Sequence, residues 1–139
     1  MDILVTNNPL VQSQYQNDFR VVFLDTDLLG LLTYIRDRIH NGFRLLTHPL
    51  SGSIKPNESP YKSVLLTEVK NKTGVKSETG TQSEPKTQPE TDFQSVSIIE
   101  ECIITVQKFP TKNIPEQYLN DLRTVDLSLI RTALKTAVK

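Results

Sequence analysis

The sequence predicts a single α/β domain: a small, mostly parallel sheet of about four strands flanked by helices. Three observations carry that expectation. Residues 19–47 read strand, helix, strand, an order that implies a right-handed parallel crossover. Short runs of β-branched, aromatic and other apolar residues recur at 3–5, 19–24, 43–47 and 62–69, and other stretches place apolar residues at helical spacing. A length of 139 residues suits one domain and is too short for two full ones.

The first strand is Ile3, Leu4 and Val5, a continuous apolar run of the kind buried on both faces of a sheet. Asn7 and Asn8 end it. Asn8 can cap a helix and Pro9 suits the first helical position, so a short helix is expected over residues 9–16. Residues 19–24 (FRVVFL) form the second strand. Asp25-Thr26-Asp27 supplies the next helix start, with Asp25 the expected capping carboxylate. Leu28, Leu31, Leu32, Ile35 and Ile39 then make one apolar stripe, and Asn41-Gly42 provides a left-handed stop. Residues 43–47 (FRLLT) are the third strand and 62–69 (KSVLLTEV) the fourth. Asp92 caps a segment in which Val96, Ile99, Ile103 and Val106 fit a helix. A strand over 97–106 is the alternative; the spacing and Glu100-Glu101 favour the helix. Two further helices are expected, one from Pro115 with Tyr118, Leu119 and Leu122, the other after an Asp126 cap with Leu127, Ile130, Leu134 and Val138.

The chain carries 16 acidic and 16 basic residues, with the Lys and Arg scattered. Nucleic-acid binding draws on a basic excess or stripe, so that role is not expected. No apolar run approaches the roughly 20 residues needed to cross a bilayer, and MDILVTNN lacks the basic and apolar regions of a signal peptide. The single cysteine, Cys102, can form neither an intramolecular disulfide nor a CxxC pair. These features point to the cytoplasm. The two histidines, His40 and His48, fall in different elements with no cysteine partner, so no metal and no cofactor are expected. Residues 71–91 hold one large apolar residue, Val75, and read as a disordered low-complexity insertion.

In parallel α/β sheets ligands bind beyond the carboxyl ends of the strands. Thr6-Asn7-Asn8, Asp25-Thr26-Asp27 and Thr47-His48-Pro49 follow the first three strands, and they share one rim if those strands are mutually parallel. The connection after the third strand, HPLSGSIKPNESPY, is long and shows no period, as functional or disordered loops do. Ser51-Gly52-Ser53 offers hydroxyls and a close backbone approach, and Lys55 adds a cation with Asn57 and Lys62 nearby. That set suits a phosphate or carboxylate. It is not a P-loop, because GxxxxGK[ST] is absent. The competing reading is that Pro49, Pro56 and Pro60 only stiffen a surface loop whose polar groups satisfy its own turns. The candidate residues for ligand or partner binding are therefore Asn7, Asn8, Asp25, His48, Ser51, Gly52, Ser53, Lys55, Asn57 and Lys62.

No catalytic residue is assigned. His48 is the candidate general base, for which Ser51 or Ser53 could serve as nucleophile and Asp25 as orienting carboxylate, but no spacing selects a triad. Cys102, beside Ile98, Ile99 and Val106, reads as a buried, inert thiol. Arg131, Lys135 and Lys139 recur every fourth residue and read as a solvated helix face.

Three segments, TNNPLV, RDRIHNGFRLLTHPLSGSIKPNESPYKSVLL and SIIEECI, closely resemble the GrdX family. These are small proteins encoded with the glycine, sarcosine and betaine reductase systems of anaerobic, amino-acid-fermenting bacteria. The resemblance covers residues 1–66 and resumes over 93–109. It implies an auxiliary role beside a selenium-dependent reductase that yields acetyl phosphate, and it transfers no catalytic residues. A chain with one cysteine is neither that reductase nor its thioredoxin. The expected function is thus that of an accessory protein binding a glycine reductase component or a small anion through the 48–62 loop. The alternative is a small enzyme acting on a phosphorylated or carboxylated metabolite through His48. The sequence does not fix the oligomeric state.

Overall fold

A computed structural model describes residues 2–50, 59–69, 91–109 and 113–137. In chain order they form β1 (Asp2–Thr6), α1 (Pro9–Tyr15), β2 (Arg20–Phe23), α2 (Leu28–His40), β3 (Phe43–Leu45), β4 (Ser63–Glu68), α3 (Phe93–Lys108) and α4 (Glu116–Ala137). The expected disordered tract 71–91 falls, but for Thr91, outside the described residues.

The α/β class holds, but the sheet is mixed rather than mostly parallel. Its order is β2-β1-β4-β3, with β1 parallel to β2 and β4 antiparallel to both β1 and β3. A parallel neighbour needs a crossover of a dozen or more residues, usually a helix that covers the sheet. The connection between β3 and β4 has no helical pattern, so β4 returns antiparallel beside β3. It also takes a central place because Val64, Leu65 and Leu66 are all fully buried, apolar on both faces. The exposed Arg20 and Arg44 mark β2 and β3 as the edges. β2 and β3 therefore do not pair, as the strand-helix-strand reading required. They nevertheless run in the same direction, because two antiparallel steps separate β1 from β3.

Side-chain alternation along the central strands builds two cores. Ile3, Val5, Val64 and Leu66 face α2 and α3, meeting Leu28, Leu31, Leu32, Ile35, Ile39, Ile99, Cys102, Ile103 and Val106. Leu4 and Leu65 face the other way, meeting Val11 of α1 and Leu127, Ile130 and Leu134 of α4. The register pairs Ile3 with Leu66, Leu4 with Leu65 and Val5 with Val64, and the next pair, Thr6 with Ser63, ends the sheet in hydroxyls.

Each helix start carries the cap its sequence offers. Asn8 Oδ1 accepts the Leu10 amide at 3.0 Å, and Pro9 follows at the first helical position. For α2 the cap is Asp27, whose Oδ1 accepts the Gly30 amide at 2.8 Å, and not Asp25. Asp92 caps α3, which is a helix as its spacing favours, and Ser95 Oγ accepts the Leu45 amide at 2.9 Å to tie α3 to the edge strand. β3 ends early because Leu65 N–H donates at 3.0 Å to the Thr47 hydroxyl in place of a backbone carbonyl. Gly42 supplies the stop after α2 at φ 98°, a conformation that L side chains avoid. Gly42→Ala is expected to cost about 1 kcal/mol through the left-handed backbone alone, read as a lower denaturation midpoint.

The two expected C-terminal helices are one. α4 runs unbroken from Glu116 to Ala137, with no Gly or Pro inside it, and Asp126 sits in its middle. Its carboxylate does not cap a helix; it is spent on the sheet.

Candidate functional site

Because β1, β2 and β3 share a direction and β4 opposes them, the ends of the first three and the start of the fourth lie along one edge of the sheet. Two asparagines fix that rim. Asn7 Nδ2 donates to Thr26 O at 3.0 Å and Pro60 O at 2.8 Å, while its Oδ1 accepts Lys62 N–H at 3.0 Å. Asn8 caps α1 and donates through Nδ2 to Arg123 O at 2.9 Å and to Asp126 Oδ2 at 3.0 Å. Both amides have used their donors, so they position the rim.

At the centre of the rim the Thr6–Ser63 pair meets α4. Their hydroxyl oxygens are 2.7 Å apart, and Ser63 Oγ donates at 2.8 Å to Asp126 Oδ2. Thr6 Oγ1 also accepts the Asn8 amide at 3.0 Å. Asp126 is 4% exposed and Lys62 is 4% exposed. The Lys62 ammonium makes no hydrogen bond or ion pair among the described residues, which is unusual for so buried a cation. Only one oxygen of Asp126, Oδ2, is engaged among them.

Lys62, Ser63 and Asp126 line a pocket of about 20 Å³ between the rim and α4, closed by Thr47, His48 and Pro49 on one side and Leu129, Ile130 and Ala133 on the other. That volume holds about one water-sized group. Its charges feel the loss of water. Burial pulls the Lys62 ammonium below the ordinary lysine range, against the opposing pull of Asp126 and Cys102. Burial likewise pushes the Asp126 carboxyl up, opposed by the bonds from Asn8 and Ser63 and by Lys62. Thr47 spends an oxygen lone pair on Leu65 N–H and keeps its hydroxyl proton to donate. His48 is exposed, and its Nδ1 accepts the Leu50 amide at 3.0 Å, which assigns the proton of the neutral ring to Nε2.

Of the residues singled out from the sequence, His48 and Lys62 come together at this pocket, and Asn7 and Asn8 support it. Asp25 is exposed beyond β2, while His48 lies beyond β3, three strand spacings away, or about 14 Å along the rim. Ser51, Gly52, Ser53, Lys55 and Asn57 lie outside the described residues. The carboxylate nearest His48 in the pocket lining is Asp126, which the sequence reading had taken for a cap. Among the described residues no group of three or more His, Cys, Asp or Glu is placed to hold a metal ion. No helix there is long and apolar enough to cross a membrane. Cys102 is buried, as expected, and burial, with Glu101, pushes its thiol up to about 11.

Fold and site together define a small α/β protein with helices on both faces of a mixed four-stranded sheet and one buried lysine at a rim pocket. The family model for GrdX-like protein matches residues 3–82 and 84–135, and the chain belongs to that family. The match runs on through α4, beyond the segments that carried the resemblance. No curated protein and no solved structure matches the chain.

Proposed function

We propose that this protein is a cytoplasmic accessory factor of glycine reductase-type amino-acid fermentation that binds a small anion, or an anionic group of a partner protein, at the rim pocket. The observation that carries the proposal is Lys62, a buried lysine whose ammonium has no partner among the described residues and which lines a pocket with Thr47 and His48. A buried cation that feels Asp126 only at a distance, with no ion pair or hydrogen bond among the described residues, is costly, and an incoming anion offsets that cost. Membership of the GrdX-like family supports that setting.

The test is a titration of inorganic phosphate, acetyl phosphate, acetate and glycine followed by backbone NMR shifts. Shifts confined to Thr47, His48, Lys62, Ser63 and Asp126 are expected, weakened at least about tenfold in Lys62→Met, the size of one charge-assisted hydrogen bond. Absence of shifts at millimolar ligand in the wild type would leave a protein partner as the better occupant. The enzyme reading rests on His48 lining the same pocket. It takes precedence if a turnover is found that His48→Gln abolishes while anion-induced shifts persist.

A further inference from the structure

We infer that the pocket takes a carboxylate together with one proton, held between Asp126 Oδ1 and a ligand oxygen, so that the ligand class is a small carboxylic acid or a chain-terminal carboxylate. This rests on the anion-binding reading above and specifies its ligand.

The geometry sets the problem. Asp126 and Lys62 line the same 20 Å³ pocket, so an anion drawn to the ammonium must sit beside a carboxylate. Asp126 cannot turn away, because Asn8 at 3.0 Å and Ser63 at 2.8 Å hold its Oδ2. Its other oxygen has no partner among the described residues. Two carboxylates in one site cannot both stay ionised; they share a proton. A carboxylate brings no proton of its own at neutral pH, so one comes from solvent, and no bond to carbon is made or broken. Burial already biases Asp126 toward the protonated form. Lys62 and the Thr47 hydroxyl then donate to the remaining ligand lone pairs; the enclosed volume takes one ligand oxygen, and the rest of the ligand lies outside it.

The other groups near the site are few. Arg123 lies one turn back on α4, and its guanidinium stacks over the Tyr61 ring at 5.2 Å. From the sheet edge come Lys62 and His48, from α1 the uncharged Asn8, and from α3 Cys102, which faces Lys62. After Lys62 and Asp126, His48 is the remaining ionisable side chain in the pocket lining among the described residues, and the experiment separates it from Asp126.

Acetate affinity is measured by NMR titration at several pH values from 5.5 to 8 in wild type, Asp126→Asn and His48→Gln. The wild type is expected to lose affinity about tenfold per pH unit once Asp126 is ionised in the free protein, the slope of one linked proton. His48→Gln keeps that slope. Asp126→Asn loses it, and at pH 8 binds acetate at least about tenfold more tightly than the wild type. Calorimetry on the wild type alone, in two buffers of different ionisation enthalpy, should show uptake approaching one proton per acetate. Ala-Ala with a free or amidated C-terminus separates the sources: tighter binding of the free dipeptide than of acetate assigns a chain terminus, and equal or weaker binding a small acid. Acetate binding without proton uptake overturns the inference and leaves the anion site standing, as does a slope that vanishes only in His48→Gln. No acetate binding in the wild type overturns the inference, and the anion site then stands or falls with the phosphate titration.

Discussion

Truncating Leu32 to Ala is expected to destabilise the protein by about 3–4 kcal/mol, the range for a fully buried leucine whose surroundings cannot collapse. Leu32 has no exposed surface and sits in the larger core, where the sheet, α2 and α3 meet. Ile3, Val5, Val64 and Leu66 approach from below and Ile99, Ile103 and Val106 from the side, so rigid elements wall the site. α2 is 13 residues long, too short to persist alone in water, and draws its stability from that packing. Denaturant unfolding should show the full loss as a shifted midpoint. Leu10→Ala, on the exposed side of α1, should change it by less than about 0.5 kcal/mol. Comparable effects from the two variants would mean that α2 is not packed against the sheet and α3 as described.

The strip from Ile3 to Leu45 was legible because each element there carries a local signal that tertiary packing reinforces. Asn8-Pro9, Asp27 and Asn41-Gly42 bracket their helices by capping and backbone chemistry, and the Leu28-to-Ile39 stripe is buried at every position read from its spacing. Strand pairing was not legible in the same way. A strand's sequence shows how many of its faces are buried but not its neighbour's direction. Two features did bear on it. The sequence of residues 46–62 shows no helical period of the kind a parallel return would need, and VLL in β4 is apolar on both faces while β2 and β3 each open an arginine to water. Weighed together they favour a central, antiparallel β4, and the strand-helix-strand rule had masked them.

The site was legible in part for a related reason. Polar clusters at strand ends pointed to one rim, and β1, β2 and β3 do keep a common direction although β4 intervenes and β2 and β3 do not pair. Which of those residues remain free for a ligand is a matter of hydrogen-bond accounting, and that needs coordinates. Asn7 and Asn8 look like binding groups in sequence and are consumed by the rim itself. Asp126 was the reverse case. It falls on the line Leu122, Asp126, Ile130, Leu134, four apart on the buried face of α4, and an acidic residue there signals a buried carboxylate with partners. Reading it as a cap hid both the length of α4 and the site.

Asp126→Ala is expected to cost about 3 kcal/mol, because it removes the acceptor that joins α4 to the sheet and leaves Lys62 without its nearest counter-charge. The loss stays below the sum of its parts. Ser63 can turn its proton toward Thr6, 2.7 Å away, and Asn8 keeps its bond to Arg123 O. Asp126→Asn retains an acceptor oxygen and should cost less, and it isolates the ionisation. The native state holds the Asp126 proton more tightly than the unfolded chain does, since burial raises the carboxyl above its ordinary 3.8. Between 3.8 and that raised value the native state binds more protons, so this group makes stability fall as pH rises; below 3.8 both states are protonated and its contribution is complete. Lys62 acts at the other end. Burial lowers it from 10.5, so the native state sheds its proton first and stability climbs as pH rises from the lowered value toward 10.5. Unfolding free energies measured from pH 3 to 10 on wild type, Asp126→Asn and Lys62→Met should therefore lose the acid-side fall in the first variant and the alkaline climb in the second. An acid limb that is unchanged in Asp126→Asn would mean that another carboxyl carries it and that Asp126 is already solvated in the native protein.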